Sequence, residues 1–233
     1  MRRLPRVAVG VSSGEMARYA AFCDSLIHVQ GVTSTNVIWA KGANIAQNRN
    51  NIGEQAVNHG CDYIWYVDDD QIFHPQTLHR LMTHNLDIVS GMYLSREPPF
   101  IPHIYEKADN ALGWWPRVLK KGQGGLVECV AAGAGCLLVK TNVLRKMEKP
   151  WWRLGQHDKV NWSDDCDFCA RAIQAGFKIH VDMDCTVGHQ LNVSIWPVKK
   201  PDGNWNTTMV YNHWSQQQQM LAEFPPAQAV EDV

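Results

Sequence analysis

The chain of 233 residues is 45% hydrophobic and 19% charged, so it can bury one sizeable core and need not divide into two domains. Its formal net charge of -1 argues against a basic surface that binds nucleic acid or anionic lipid. No apolar run approaches the length of a membrane span, and the first residues do not have the pattern of a signal peptide. We therefore expect a cytoplasmic protein that does not insert into membranes.

The seven cysteines are scattered along the sequence, and their odd number favours reduced thiols. Cys166 and Cys169 form a Cys-x-x-Cys pair within a helical pattern. Because no second pair lies at zinc-binding spacing, we do not expect a zinc or redox site there.

Strand-like and helix-like segments alternate through the first part of the chain. Strands are predicted at 6–11, 35–39, 62–67 and 87–93, and helices at 15–28, 44–58 and after Pro75. This alternation predicts an α/β domain with a mainly parallel sheet and helices on both faces. In such sheets ligands bind beyond the carboxyl ends of the strands.

The second part of the chain is less regular. Residues 95–125 are predicted to form a loop or a small hairpin. Further strands are predicted at 126–132, 136–140 and 177–181, and helices at 142–147 and 164–175. We expect one domain over residues 1–195, followed by a polar, peripheral tail over residues 196–233.

An apolar strand runs straight into three carboxylates, Asp68, Asp69 and Asp70. Carboxylates at this spacing repel each other, and hard divalent metals take oxygen ligands, so a metal with a phosphorylated ligand would offset the repulsion. We interpret the motif as Asp-x-Asp, formed by Asp68 and Asp70. The structural alternative is that the three residues turn the chain and cap the helix that follows.

The predicted helix at 44–58 places Arg49 on the same stripe as Ile45, Ile52 and Ala56. A buried guanidinium without a partner is costly, so Arg49 needs an anion nearby. Asp68 is one candidate, and a ligand phosphate or base is the other.

Carboxylates also cluster at the start of the helix predicted at 164–175. The helix dipole and the N-cap explain one or two of them, but Asp164, Asp165 and Asp167 exceed that need. If Asp164 caps the helix, Asp165 can point past its end and take the proton of an acceptor hydroxyl. Capping alone remains the structural alternative.

His189 follows the strand predicted at 177–181. A single histidine is usually a packed or surface side chain. If it lies beside Asp70, the pair suits manganese or another first-row divalent ion better than calcium.

Together these motifs resemble the metal-dependent nucleotide-sugar glycosyltransferases of the GT-A fold. The stretch from Trp162 to His189 is similar to the Trp-Gly-x-Glu to Val-Gly-His region of polypeptide N-acetylgalactosaminyltransferases, with aspartates in place of glutamates. The segments 46–50 and 91–96 are similar to compact glycosyltransferase-like proteins of bacteria and phages, which would place a phage-encoded protein in the host cytoplasm.

The resemblance implies roles for particular residues. Asp70 and His189 would hold Mn²⁺ or Mg²⁺ on the diphosphate, with Asp68 also counted among the metal ligands. Asp165 matches the acceptor base of inverting members, with Asp164 beside it, whereas retaining members need no such base. The remaining donor-binding candidates are Arg49, Asp68, Asp69, Gly135 and Trp152.

The resemblance also implies the partners. We expect a nucleotide-sugar donor, UDP-linked on family grounds, and a glycan, protein or modified-DNA acceptor. The alternatives are a DNA-base glycosyltransferase that acts on hydroxymethylated pyrimidines, a nucleotidyltransferase, and a glycan-binding module without catalysis. A nucleotidyltransferase would need a basic phosphate loop near the first strand, which residues 11–15 lack.

Overall fold

The computed structural model describes residues 5–13, 20–29, 35–42, 44–96, 99–109, 114–157, 160–191, 193–199, 202 and 205–211. The chain forms two compact units, Met1–His189 and Gln190–Val233.

The helices of the described residues all lie in the first unit: α1 (Ala20–Ile27), α2 (Ile45–Asn58), α3 (Thr77–Thr83), α4 (Thr141–Lys146) and α5 (Asp164–Gln174). The strands of the first unit are β1 (Val7–Ser13), β2 (Thr35–Lys41), β3 (Tyr63–Asp68), β4 (Gln71–Ile72), β5 (Ile88–Met92), β6 (Ile104–Lys107), β7 (Trp114–Pro116), β8 (Leu126–Cys129), β9 (Ala131–Ala132), β10 (Cys136–Lys140), β11 (Gly155–His157), β12 (Val160–Trp162), β13 (Ile179–Thr186) and β14 (Gly188–His189). The second unit contributes β15 (Val193–Lys199) and β16 (Trp205–Tyr211).

The main sheet has seven strands in the order β2-β1-β3-β10-β5-β13-β8. β1 is parallel to β2 and β3, and β5 is parallel to β13. β10 is antiparallel to both β3 and β5, and β8 is antiparallel to β13, so only these two oppose the common direction. The predicted α/β architecture with a mainly parallel sheet is confirmed.

Alternating strand residues bury both faces of this sheet. On one face α2 packs closely on β1, because a side chain at Gly10 would collide with Ile52. On the other face Phe22 of α1 and Leu78 of α3 pack against Trp65 of β3. Helices therefore cover both faces, as the alternation of elements predicts.

A buried carboxylate anchors α3 to the sheet. Asp182 of β13 accepts hydrogen bonds from Arg80 Nε and Nη2 at 2.6 and 2.9 Å, and His84 Nε2 lies 2.9 Å from its Oδ2. Burial alone would raise the pKa of Asp182, but the hydrogen bonds from Arg80 and His84 lower it to about 2. An aspartate with one arginine and one histidine partner therefore also occurs here, where it links β13 to α3 and the residue that follows it.

Several boundaries differ from the sequence prediction. The strand predicted at 126–132 is two strands in different sheets, because β8 pairs with β13 whereas β9 pairs with β6. The strand predicted at 177–181 continues to Thr186, since its pairing with β5 resumes after a bulge. β6 and β7 pair antiparallel, which agrees with the small hairpin that was one of the two alternatives predicted for residues 95–125. Residues 15–19 of the first predicted helix lie outside the described residues.

The described part of the second unit is an antiparallel hairpin of β15 and β16, paired from Val193 with Tyr211 to Lys199 with Trp205. β15 crosses the boundary predicted between residues 195 and 196. The glutamine run at 216–219 lies outside the described residues. None of the helices in the described ranges has the length and apolar character needed to cross a bilayer.

Candidate functional site

Polar side chains gather at the carboxyl edge of the main sheet. Asp68 ends β3 beside Ser12 at the end of β1, and its N–H donates to the carbonyl of Gly135 at 3.2 Å. Tyr93 comes directly after β5. His189 lies in β14, which comes after β13 in the chain and pairs with β4. Since parallel strands bring their ends to one edge, residues far apart in sequence meet here.

Arg49 of α2 links two carboxylates at this edge. Its Nη1 donates to Asp164 Oδ2 at 2.5 Å, and its Nη2 donates to Asp68 Oδ1 and Oδ2 at 2.9 and 3.1 Å. Only 4% of Arg49 is exposed. Asp68 and Asp164 thus supply the anionic partners that burial of Arg49 requires.

The charges in this cluster shift each other's pKa values. Burial would lower the pKa of Arg49, but the charges of Asp68, Asp164 and Asp165 outweigh it and raise the pKa above its ordinary value. Burial raises the pKa of Asp164 even though Arg49 opposes that rise. Arg49 is therefore a permanent cation beneath the site.

Trp152 belongs to the core below Arg49. Its ring stacks on Phe168 with the centroids 4.1 Å apart, and its Nε1 donates to the Tyr66 hydroxyl at 3.3 Å. The Arg49 guanidinium carbon lies 5.2 Å from the ring centroid. With 1% of Trp152 exposed, the ring offers no surface to a sugar, so the donor-binding role expected for Trp152 does not match this position.

The start of α5 is arranged differently from the expected cap. Ser163 is the N-cap residue, and Asp164 in the first turn points inward to Arg49. Asp165 accepts hydrogen bonds from the Ser163 hydroxyl and, at 2.9 Å, from the Cys166 N–H. The inward turn of Asp164 leaves Asp165 as the half-buried carboxylate at the mouth of the helix.

The charge of Asp165 acts on the side chains around the site. Burial lowers the pKa of His103, and the negative charge of Asp165 partly opposes that decrease. Burial raises the pKa values of Tyr93 and Tyr105, and the charge of Asp165 raises them further. Asp165 is therefore near enough to these three side chains to act on them electrostatically.

Asp70 and His189 lie together at the outer side of the site. Asp70 Oδ2 is 3.4 Å from His189 Nε2 and 2.9 Å from Arg96 Nη1. Burial would raise the pKa of Asp70, but the hydrogen bond and charge of His189 and the charge of Arg96 lower it. The carboxylate is thus ionised, and the Arg96 guanidinium is its charged partner.

The backbone sets the orientation of the His189 ring. His189 Nδ1 lies 2.8 Å from the carbonyl oxygen of Leu94, which can only accept, so we assign the proton to Nδ1. Nε2 then faces Asp70 either with a second proton or with a lone pair. This is the arrangement of a histidine whose second nitrogen is available to a metal ion.

The three predicted metal ligands do not converge on one point. Among the described residues, no group of three or more His, Cys, Asp or Glu side chains is placed to hold a metal ion. Asp70 contacts His189, whereas Asp68 contacts Arg49. Asp69, which is half-buried, stands between the two in the sequence. The physical reason is that the buried guanidinium attracts both oxygens of Asp68.

A glycine segment forms the floor between these groups. Gly135 N–H donates to the Tyr93 hydroxyl at 2.9 Å, and a Cβ at Gly135 would lie 3.0 Å from both Gln71 Nε2 and that hydroxyl. A Cβ at Gly133 would collide with Tyr93 and lie 2.8 Å from the Cβ of His103. The glycines therefore let the backbone approach Tyr93 closely.

Three residues of the site were not predicted from the sequence. Tyr93 and His103 stack with their centroids 4.7 Å apart, and His103 lies 6.3 Å from His189. Arg96 was noticed only as part of a motif. Tyr93 could have been found from its place after a strand, but no local signal identifies His103 or Arg96.

The sequence matches a family model described as glycosyltransferase like family 2 over residues 7–208. Comparison of the sequence with curated proteins gives no match.

Two solved structures share the fold. The crystal structure of A197 from STIV has a TM-score of 0.56 at 15% identity, covering 86% of this chain and 92% of that chain. The crystal structure of GalNAc-T7 with UDP, GalNAc and Mn²⁺ has a TM-score of 0.51 at 11% identity, covering 80% of this chain and 44% of that chain. The likeness to these structures is one of fold.

Proposed function

Because this chain belongs to the glycosyltransferase-like family 2 and has the GT-A fold, we propose that it transfers a sugar from a UDP-linked donor to a hydroxyl acceptor. The observation that carries the proposal is the contact of Asp70 with His189 near the carboxyl edge of the sheet, at which Asp68 ends β3. This edge is where sheets of this type bind their ligands.

Asp70 and His189 are the proposed protein ligands of Mn²⁺ or Mg²⁺. Asp70 Oδ1 is buried and has no hydrogen-bond partner among the described residues, and His189 Nε2 is oriented by the bond of Nδ1 to Leu94. A carboxylate and an imidazole suit Mn²⁺. Bound there with the donor, the ion would neutralise the departing diphosphate. The presence of Mn²⁺ with UDP in GalNAc-T7 agrees with this proposal.

Asp68, Asp69 and Gly135 are proposed to contact the donor. Arg49 acts from below, because it holds Asp68 and Asp164 in place and is itself buried. Trp152 packs under Arg49 and has only a supporting role.

Asp165 is the proposed acceptor base. Asp164 is committed to Arg49, whereas Asp165 is half-buried and acts electrostatically on His103 and Tyr105 across the site. A carboxylate there can accept the proton of a hydroxyl as it attacks the donor sugar. This assignment favours inversion at the anomeric carbon.

The ten tryptophans of the sequence are the feature that favours the glycan-binding alternative. Trp65, Trp151 and Trp152 are each no more than 3% exposed, so packing accounts for these three. Trp39 and Trp115, which are 46% and 58% exposed, have ring surface open to solvent.

Thermal unfolding with UDP, GDP, CDP and ADP, each with and without Mn²⁺, tests the donor class. We expect UDP with Mn²⁺ at 100 times its Kd to stabilise the protein by about 2.7 kcal/mol, which corresponds to roughly 5–10 °C in Tm. UDP without Mn²⁺ should give a much smaller shift. If no nucleotide raises Tm under either condition, the proposed function is wrong.

Replacing Asp165 with Asn should lower kcat by about 10²–10⁴-fold and leave the Tm shift by UDP and Mn²⁺ unchanged, because a base acts on the acceptor and not on the donor. Initial rates with a saturating donor and the anomeric configuration of the product measure this. Asp184→Asn, an exposed carboxylate that pairs with Arg80, is the control for substitution itself. A retained anomer, or a kcat within about threefold of wild type, would exclude Asp165 as the base.

A further inference from the structure

Arg96 forms an ion pair with Asp70, the carboxylate that the proposed metal site requires. Its Nη1 lies 2.9 Å from Asp70 Oδ2, the same oxygen that faces His189 Nε2 at 3.4 Å. Asp70 is 9% exposed, so its charge needs a cation nearby. The guanidinium of Arg96 is that cation.

The backbone next to Arg96 is held in place while its side chain reaches solvent. Ser95 N–H donates to the Ile101 carbonyl at 2.8 Å, and Ile101 N–H donates to the Ser95 hydroxyl at 3.0 Å. The carbonyl of Leu94, two residues before Arg96, accepts a hydrogen bond from His189 Nδ1. The Arg96 side chain is 51% exposed, and within the described residues it forms its ion pair with Asp70 alone. The guanidinium can therefore change partner without moving the backbone.

We propose that Arg96 is an exchange residue that neutralises Asp70 in the empty site and moves to the donor diphosphate when a divalent cation takes Asp70. The inference rests on the proposed function. A divalent ion on either oxygen of Asp70 and the guanidinium on Oδ2 would repel each other across one carboxylate, so binding of the ion favours release of Arg96. The released side chain would lie next to the place proposed for the diphosphate, and its planar fork suits phosphate oxygens.

This exchange makes two binding constants change in opposite directions when Arg96 is removed. Free Mn²⁺ must compete with the Arg96–Asp70 pair, so its binding should tighten about two- to fivefold in Arg96→Ala, as expected for a half-exposed pair. UDP in saturating Mn²⁺ should bind about 10–100-fold more weakly, because a charged hydrogen bond to phosphate is lost. UMP, which has one phosphate less, should lose less affinity than UDP.

The test measures Mn²⁺ alone by water-proton relaxation, and UDP and UMP in saturating Mn²⁺ by titration calorimetry. Arg96→Gln keeps most of the side-chain length without the charge and should behave like Arg96→Ala. Arg80→Ala is the matched control, because Arg80 is 46% exposed and its buried partner Asp182 also keeps a histidine, His84. Neither binding constant should change in Arg80→Ala.

The outcomes separate this inference from the proposed function. Tighter Mn²⁺ with weaker UDP in both Arg96 variants supports the exchange. If wild type binds Mn²⁺ and UDP, but the variants weaken both or change neither, Arg96 is not an exchange residue and the proposed function stands. If neither wild type nor the variants bind Mn²⁺ or any nucleotide, the proposed function fails and the exchange fails with it.

Discussion

Asp70→Asn is expected to lower kcat/KM for glycosyl transfer by about 10²–10³-fold, equivalent to about 3–4 kcal/mol of transition-state stabilisation. The amide keeps the shape of the side chain but removes the charge that His189 and Arg96 now face. The Tm shift by UDP and Mn²⁺ should disappear as well. Initial rates over a range of Mn²⁺ concentrations, with thermal unfolding in parallel, measure both effects.

Asp182→Asn is the matched control for Asp70→Asn. Asp182 is also buried and also pairs with one arginine and one histidine, but its partners Arg80 and His84 anchor α3 and are not part of the site. Its loss should lower stability and leave kcat/KM of the folded enzyme close to wild type. A similar loss of activity in both variants would mean that Asp70 has only a structural role.

Arg49→Met is expected to destabilise the protein by about 3–5 kcal/mol. The substitution leaves Asp68 and Asp164 without their shared cation, and removing one partner of a buried ion pair costs about this much. Urea unfolding followed by circular dichroism measures the free energy of unfolding. Adding Asp164→Asn should recover part of the loss, because it removes one of the two carboxylates that Arg49 neutralises.

Lys149→Ala provides the comparison with a surface ion pair. Lys149 Nζ lies 2.9 Å from Glu54 Oε1, and both side chains are more than two-fifths exposed. Its loss should cost less than about 1 kcal/mol. If Arg49→Met costs no more than this, the cluster around Arg49 does not hold the carboxylates of the site.

Local patterns in the sequence predict the elements that build the site. The run from Tyr63 to Asp68 and the alternation of strands and helices place the carboxylates at the carboxyl edge of the sheet. The wheel position of Arg49 predicts that it is buried and needs an anion. These features follow from side-chain period and strand length, which neighbouring residues determine.

Predictions failed where packing chose between neighbouring residues. Asp164 is not the cap of α5 but the partner of Arg49, which lies 115 positions away. Trp152 was expected to bind the donor, but it is buried in the core. β8 and β9 read as one strand, because nothing local shows that Cys129 and Ala131 pair with different sheets.

The sequence by itself determined that this protein has an α/β sheet with acidic residues and a histidine after its strands, because alternation and run length are local properties. Only the tertiary structure decided which partner each carboxylate faces: Arg49 for Asp68 and Asp164, and Arg96 with His189 for Asp70. The physical reason is that a buried charge must find its partner in space, and the folded sheet brings together residues that are far apart in the chain.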